Sequence, residues 1–147
     1  MFTIYNLLVL IHLIGFSLGV GSATVKLVLL FRCYSNHEFL NIYLKVTKPV
    51  TKLIVVGMIL LTLSGIGWLF VGYPFTTLLI VKVGFVGLIW VLGPIIDNVV
   101  EPKFEKLAPL PGDLASPAFT SIQRKHFALE IAATVLMYAI TIMGVLL

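Results

Sequence analysis

The chain has 147 residues, of which 60% are hydrophobic and 11% are charged, whereas a soluble domain carries about 25% charged residues. A mean hydropathy of +1.13 is too high for one soluble core, because a domain of about 150 residues leaves roughly a third of its unfolded-chain surface in water. An ordinary soluble globule is therefore excluded. A disulfide framework and a cysteine-rich metal centre are excluded as well, since Cys33 is the sole cysteine.

The hydropathy pattern predicts four transmembrane helices. Each span needs about 20 apolar residues, so four spans fit this length and six do not. Within a bilayer, a helix is the way in which one segment satisfies its own backbone. The fold class is therefore all-α, an integral membrane four-helix bundle formed by one domain over residues 1–147. We place the spans at about 3–31, 53–71, 75–96 and 124–147, and the loops between them at about 32–52 and 97–123. The first run is too long for a cleavable signal, and no basic residue precedes it.

Basic residues concentrate in two of the connections and predict the orientation. The positive-inside rule places both of these loops in the cytoplasm and both termini on the outer side. We therefore expect a multi-pass protein of the cytoplasmic membrane, whose net charge of +4 reflects its topology. A nucleic-acid partner is not expected. The residues concerned are Arg32, Lys45, Lys48 and Lys52 around the first loop, and Lys103, Lys106, Arg124 and Lys125 around the second.

Prolines predict two further features of the second cytoplasmic loop and its border. The segment 101–117 contains four prolines, and we expect it to lie on the membrane surface without regular structure. Pro94 is expected to kink the inner end of the third span, since proline lacks the amide hydrogen that a helix needs.

One face of the first span carries polar and small residues. His12, Gly15, Gly19, Ser22 and Lys26 follow one another at spacings of 3, 4, 3 and 4, which places them on one side of a helix. Two interpretations are open. The glycines form the small-xxx-small pattern of a close helix contact, or they leave room for a flat ligand beside the histidine.

Lys82 is the second unusual residue within a span. At 1.5 Å per residue, it lies about 12 Å below the outer surface and His12 about 14 Å below it, so the two residues are level. An unpaired ammonium group at this depth costs about 3 kcal/mol, and none of the spans carries a carboxylate there. We expect either a neutral amine that accepts a proton or binds a metal, or a lysine that pairs with another subunit or reaches the interface.

His126 and Glu130 form a pair one helical turn apart in the fourth span. His126 is about 32 Å from the outer surface, near the cytoplasmic headgroups, which is too far from His12 for both to bind one porphyrin. We interpret His126 and Glu130 as an interfacial ion pair to which Lys26 also contributes.

Three short motifs carry a resemblance to a known family. The chain resembles the four-helix membrane proteins that include the HemJ-type protoporphyrinogen oxidases and the CopD-type copper-resistance domain. In the HemJ type, the first-span histidine and the third-span lysine are associated with haem b and with activity. The motifs are Leu-Ile-His12-Leu-Ile-Gly, Leu-Ser-Gly-Ile-Gly-Trp68 and Lys82-Val-Gly-Phe-Val-Gly-Leu-Ile-Trp.

The resemblance implies a haem b-binding membrane redox protein that oxidises protoporphyrinogen IX to protoporphyrin IX. His12 would be the metal ligand, and Lys82 would be a catalytic and cofactor-binding residue: a second ligand, a propionate partner or a proton-transfer group. Gly15 and Gly19 are expected to give the cofactor its space.

Two other classes of function remain open. The chain could be a small accessory subunit that docks its His12 face against a larger membrane complex. Alternatively, His12, Lys82 and Glu130 could be stations of a metal or proton pathway. The expected partners are the lipid bilayer, a porphyrin substrate, and either a further copy of the chain or a larger complex.

Overall fold

A computed structural model describes residues 3–147, and these form four long helices that confirm the all-α prediction. Each helix is long and apolar enough to cross a membrane. With 30 to 32 residues each, the helices exceed the roughly 20 residues that the hydrocarbon core requires. Part of each helix therefore extends beyond the apolar run. The helices are α1 (Ile4–Ser35), α2 (Phe39–Phe70), α3 (Thr77–Leu107) and α4 (Pro117–Leu146).

Hydroxyl side chains begin three of the four helices. Thr3 accepts a hydrogen bond from the amide of Asn6 at 3.3 Å, and Thr76 and Ser116 cap α3 and α4 in the same way. Each cap satisfies one of the free amides that a helix start leaves. Gly72, in the turn between α2 and α3, has a φ of +91°, which glycine adopts without strain.

Two helices contain a stretch of π-helix. In α1 it covers Ser17–Gly21, and in α3 it covers Ile96–Val100, directly after Pro94. The kink predicted at Pro94 stays a prediction, and a π-helical stretch begins two residues after this proline. Such stretches occur frequently at functional sites.

The loops predicted at 32–52 and 97–123 are largely helical, which corrects the expected boundaries of regular structure. α2 already begins at Phe39 and passes through Pro49, and α3 continues to Leu107. The segment 101–117 is therefore irregular only between Leu107 and Pro117. Sequence hydropathy falls in these regions because they carry charges, but the helix continues because Glu101 and Phe104 point into the bundle.

The bundle is tightest at its basic end, which we define as the end formed by the connections α1–α2 and α3–α4. A buried cluster at this end contains Leu30, Cys33, Leu40, Tyr43, Phe104 and Phe119. At the opposite end, none of the described residues in 3–14, 65–88 and 138–147 is fully buried. The two ends therefore offer different environments, a closed interior at the basic end and an open one at the end with both termini.

Candidate functional sites

His12 is held against α2 by two contacts. Its Nδ1 atom lies 2.8 Å from the hydroxyl oxygen of Ser64, and its ring lies against Trp68 with 4.7 Å between ring centroids. Because α1 and α2 are themselves in close contact, these partners fix the position and the plane of the imidazole. The side chain is half-buried, so one edge of the ring remains accessible.

The Ser64 hydroxyl determines the tautomer of His12. Its oxygen lies 2.8 Å from the carbonyl of Leu60 and 3.0 Å from that of Leu61, and it donates its single proton to this helical turn. It must therefore accept the hydrogen bond from His12, so Nδ1 carries the proton. The neutral ring then has a free electron pair on Nε2, to which no residue in 3–147 hydrogen-bonds. A histidine in this state is ready to bind a metal.

Lys82 lies near His12 but on the other helix pair. Its side chain extends from α3 to Gly144 of α4. The two are so close that a Cβ atom built on Gly144 would lie 2.9 Å from Lys82 Nζ. It is half-buried and close enough to His12 for a Coulomb interaction between the two side chains. A cavity of about 180 Å³ at this end is lined by Trp68 and Tyr73, and neither His12 nor Lys82 lines it.

Gly15 and Gly19 form a helix contact, which corrects their expected role as space for a cofactor. A Cβ atom on Gly15 would lie 2.9 Å from the amide nitrogen of Leu61 and 3.0 Å from the carbonyl oxygen of Gly57. A Cβ atom on Gly57 would in turn overlap the backbone of Gly19. The space beside these glycines is filled by α2, so of the two interpretations the packing seam describes the structure.

A second polar site lies deeper, towards the basic end, around the ammonium group of Lys26. This group is 2.9 Å from Glu101 Oε2, 2.9 Å from Glu130 Oε1 and 3.2 Å from Asp97 Oδ1. We call these four residues the ion cluster. The predicted association of Lys26 with Glu130 is thus present, but the side chains of both are more than nine-tenths buried. The ion pair therefore lies inside the bundle, and its predicted depth near the cytoplasmic headgroups stays a prediction.

Sequence reasoning missed two of the carboxylates in the ion cluster. The sequence patterns considered above assign no role to Asp97 and place Glu101 at the start of a segment without regular structure. Asp97 and Glu101 are four residues apart, which places both on one face of a helix. This spacing was the sequence signal that could have predicted their shared site. It was obscured by Pro94 and Pro102, which suggest that no helix continues there.

Residues from α2 and α4 surround the ion cluster. Thr47 donates a hydrogen bond of 3.0 Å to Glu101 Oε1, and the hydroxyl of Tyr43 lies 3.4 Å from His126 Nε2. His126 is fully buried, and this nitrogen lies 3.3 Å from Glu130 Oε1. The donor atoms of Glu101, His126 and Glu130 lie within 4.8 Å of one another, a set that could hold a metal ion. The Lys26 ammonium already lies beside two of these three groups, however.

Taken together, the helices and these two sites define a four-helix, membrane-spanning protein with a histidine bound to Ser64 in its open half and an ion cluster in its closed half. No protein-family model matches the chain, and no significant match was found among curated proteins or among solved structures.

Proposed function

We propose that this protein binds haem b through His12 and functions as a redox protein of the cytoplasmic membrane. The observation that carries the proposal is the hydrogen bond from His12 Nδ1 to Ser64, which leaves Nε2 as a free and oriented nitrogen donor. Haem iron accepts a neutral histidine nitrogen as its axial ligand. A hydrogen bond on the other ring nitrogen is the usual support of such a ligand.

Two side chains are suited to hold haem b. His12 would bind the iron, and Lys82 would bind a propionate or the iron, or would transfer a proton. Gly15 and Gly19 do not contribute, because α2 covers them. When bound, haem b supplies reversible electron transfer at its iron.

Lys82 suits the reaction that the family resemblance implies. Oxidation of protoporphyrinogen IX removes electrons and protons from the macrocycle. The Lys82 amine interacts electrostatically with His12, and its Nζ packs against Gly144. We propose that it accepts a proton released in this oxidation.

Reconstitution with haem b tests the proposal. The full chain, purified in detergent, should bind haem with a Soret absorption band that shifts on reduction with dithionite. His12→Ala should abolish this band or change it to that of a differently ligated haem. Ser64→Ala removes the acceptor of the Nδ1 proton and should weaken haem affinity by about 10- to 100-fold, as loss of such support does at other metal sites.

Two substitutions are matched controls for this experiment. His37→Ala removes an exposed histidine outside the site. Ser17→Ala removes a hydroxyl that donates to the Leu13 carbonyl within α1, just as the Ser64 hydroxyl bonds within α2, but that has no histidine partner. Both variants should bind haem like the wild type. Equal binding by wild type and His12→Ala would refute the proposal.

The accessory-subunit function is the second candidate, and one feature of α3 favours it. Gly84 and Gly87 face open space, with no atom within 4 Å of a Cβ built on either. Their spacing of three residues exposes backbone on one side of the helix, a surface that another transmembrane helix could approach closely. A protein that binds no haem and co-purifies with larger membrane subunits in fixed proportion would favour this function.

A further inference from the structure

The ion cluster contains more negative than positive groups. If all four residues were ionised, three carboxylates would face one ammonium group, which leaves a net charge of −2. The two other titratable groups that face the cluster are His126 from α4 and Tyr43 from α2. A positively charged His126 would still leave a net charge of −1.

Burial makes this excess charge unfavourable. The side chains of Lys26, Glu101 and Glu130 are 2%, 9% and 6% exposed, respectively. An unbalanced charge in such an environment costs far more than it would in water. The cluster therefore requires a further positive charge, either a proton or a bound cation.

The carboxylates differ in how well their oxygen atoms are satisfied. Both oxygens of Glu101 have partners, since Thr47 donates to Oε1 and Lys26 donates to Oε2. Glu130 Oε1 lies 2.9 Å from the Lys26 ammonium and 3.3 Å from His126 Nε2, whereas no residue in 3–147 hydrogen-bonds to Glu130 Oε2. Glu101 therefore has its hydrogen-bonding needs met, whereas Glu130 can still accept a hydrogen bond or a proton.

A small cavity adjoins the carboxyl groups of Asp97 and Glu130. It has a volume of about 50 Å³, and Lys26, Asp97, Glu130 and Thr134 are among the residues that line it. Thr134 is 4% exposed, and its hydroxyl has no hydrogen-bond partner among residues 3–147. A cavity needs only about 10 to 15 Å³ and two to four polar partners to hold a water molecule. This cavity meets both conditions.

We infer that this cavity is a proton-binding site, in which ordered water and the carboxyl groups of Asp97 and Glu130, which both line the cavity and contact Lys26, hold one proton. The proton bonds to a carboxylate oxygen and converts that group into a neutral carboxyl. A metal cation would instead lie against the Lys26 ammonium, which lines the same cavity, and would be repelled by it. Asp97 is the most exposed member of the ion cluster, with 25% of its side chain accessible.

The small number of carboxyl groups makes the proton directly observable. The chain has six Asp and Glu residues, and the three outside the cluster, Glu38, Glu105 and Asp113, are all exposed. Carboxyl groups in contact with water are generally ionised at neutral pH. An infrared band of a protonated carboxyl at pH 7 must then come from the cluster. The full chain is measured in a detergent that has neither ester nor carboxyl groups, without haem, before and after exchange into D₂O.

We expect the wild type to show this band at pH 7 and to shift it in D₂O. Glu130→Gln or Asp97→Asn should remove it, whereas the control Glu105→Gln, which changes an exposed glutamate, should leave it intact. Thr134→Val should shift its frequency by removing a hydroxyl from the cavity, which provides a test if the Glu130 variant does not fold.

Several results would overturn the inference. Absence of the band at pH 7 would mean that the cluster holds no proton. If the band survived both Glu130→Gln and Asp97→Asn, the proton would lie elsewhere. The same conclusion would follow if the band were unchanged in both Asp97→Asn and Thr134→Val. Loss of the wild-type band on addition of NaCl or ZnCl₂ would show that the site takes a metal cation in place of the proton.

Discussion

Two histidines illustrate how neighbouring residues determine what a side chain can do. His12 lies against one hydroxyl, which fixes its proton on Nδ1 and leaves Nε2 free. His126 is fully buried, and its Nε2 faces both Tyr43 and Glu130. The first arrangement presents a ligand nitrogen, whereas the second makes the imidazole part of an internal charge network.

The Lys26 ammonium is expected to stabilise the fold. Lys26→Met preserves the length of the side chain but leaves the carboxyl groups of the ion cluster without their common cation, and loss of one partner of a buried ion pair costs about 3 to 5 kcal/mol. We expect a loss of this size in the free energy of unfolding, measured by reversible denaturation in mixed micelles.

Lys48→Met is the matched control for this change. Lys48 pairs with Glu105 at 3.4 Å, but both side chains are exposed, and such a pair contributes about 0 to 1 kcal/mol. The combined variant Lys26→Met with Glu101→Gln should recover part of the lost stability, because it removes one of the unbalanced charges. Equal losses for Lys26→Met and Lys48→Met would contradict the structural role given to the ion cluster.

At the scale of the helices, the contact between α1 and α2 depends on three glycines that bring two backbones together. Gly15 and Gly19 of α1 meet Gly57 of α2. Ser64 lies on α2, seven residues after Gly57. The glycine contact therefore also positions Ser64 to reach His12 of α1. The helix contact and the candidate haem site are therefore parts of one arrangement.

Gly57→Ala is expected to separate these helices. The added methyl group would overlap the backbone of Gly19, which has no flexible side chain to move aside. Overpacking of this kind costs about 1 to 3 kcal/mol, and it should also weaken haem binding by displacing Ser64.

The control for this substitution lies on the same helix. A Cβ on Gly65 meets no atom within 4 Å, so Gly65→Ala should leave both the unfolding free energy and the haem affinity unchanged or slightly improved. If Gly57→Ala proved as harmless as Gly65→Ala, the close contact would have no energetic importance.

Much of the helical architecture could be predicted from sequence, because lipid-exposed helices leave a strong hydropathy signal. The inward face of α1 could also be predicted, since His12 and Lys26 follow helical spacing. The partners of Lys26 could not, because hydropathy treats Asp97 and Glu101 as markers of a loop. The type of a charged residue does not reveal whether its side chain is buried or solvated, and this difference emerges only from the fold.

At the scale of the whole molecule, the distribution of basic residues predicts that both termini face outward. In a Cys33→Ala background, a cysteine at position 147 should react with a membrane-impermeant maleimide in intact cells. A cysteine that replaces Leu114, which is 96% exposed between α3 and α4, should react only after the membrane is permeabilised. The opposite pattern would reverse the orientation and place the ion cluster near the outer surface.

The π-helical stretch at Ile96–Val100 sets the rotational register of everything that follows it in α3. It contains Asp97 and ends immediately before Glu101, so both carboxylates reach Lys26 across this stretch. A residue in an α-helix is rotated by about 100° from its neighbour. If the extra residue of the π-helical stretch were present without its wider turn, Glu101 and Phe104 would be rotated from the interior towards the surface. The wider turn thus keeps the last two turns of α3 facing the bundle.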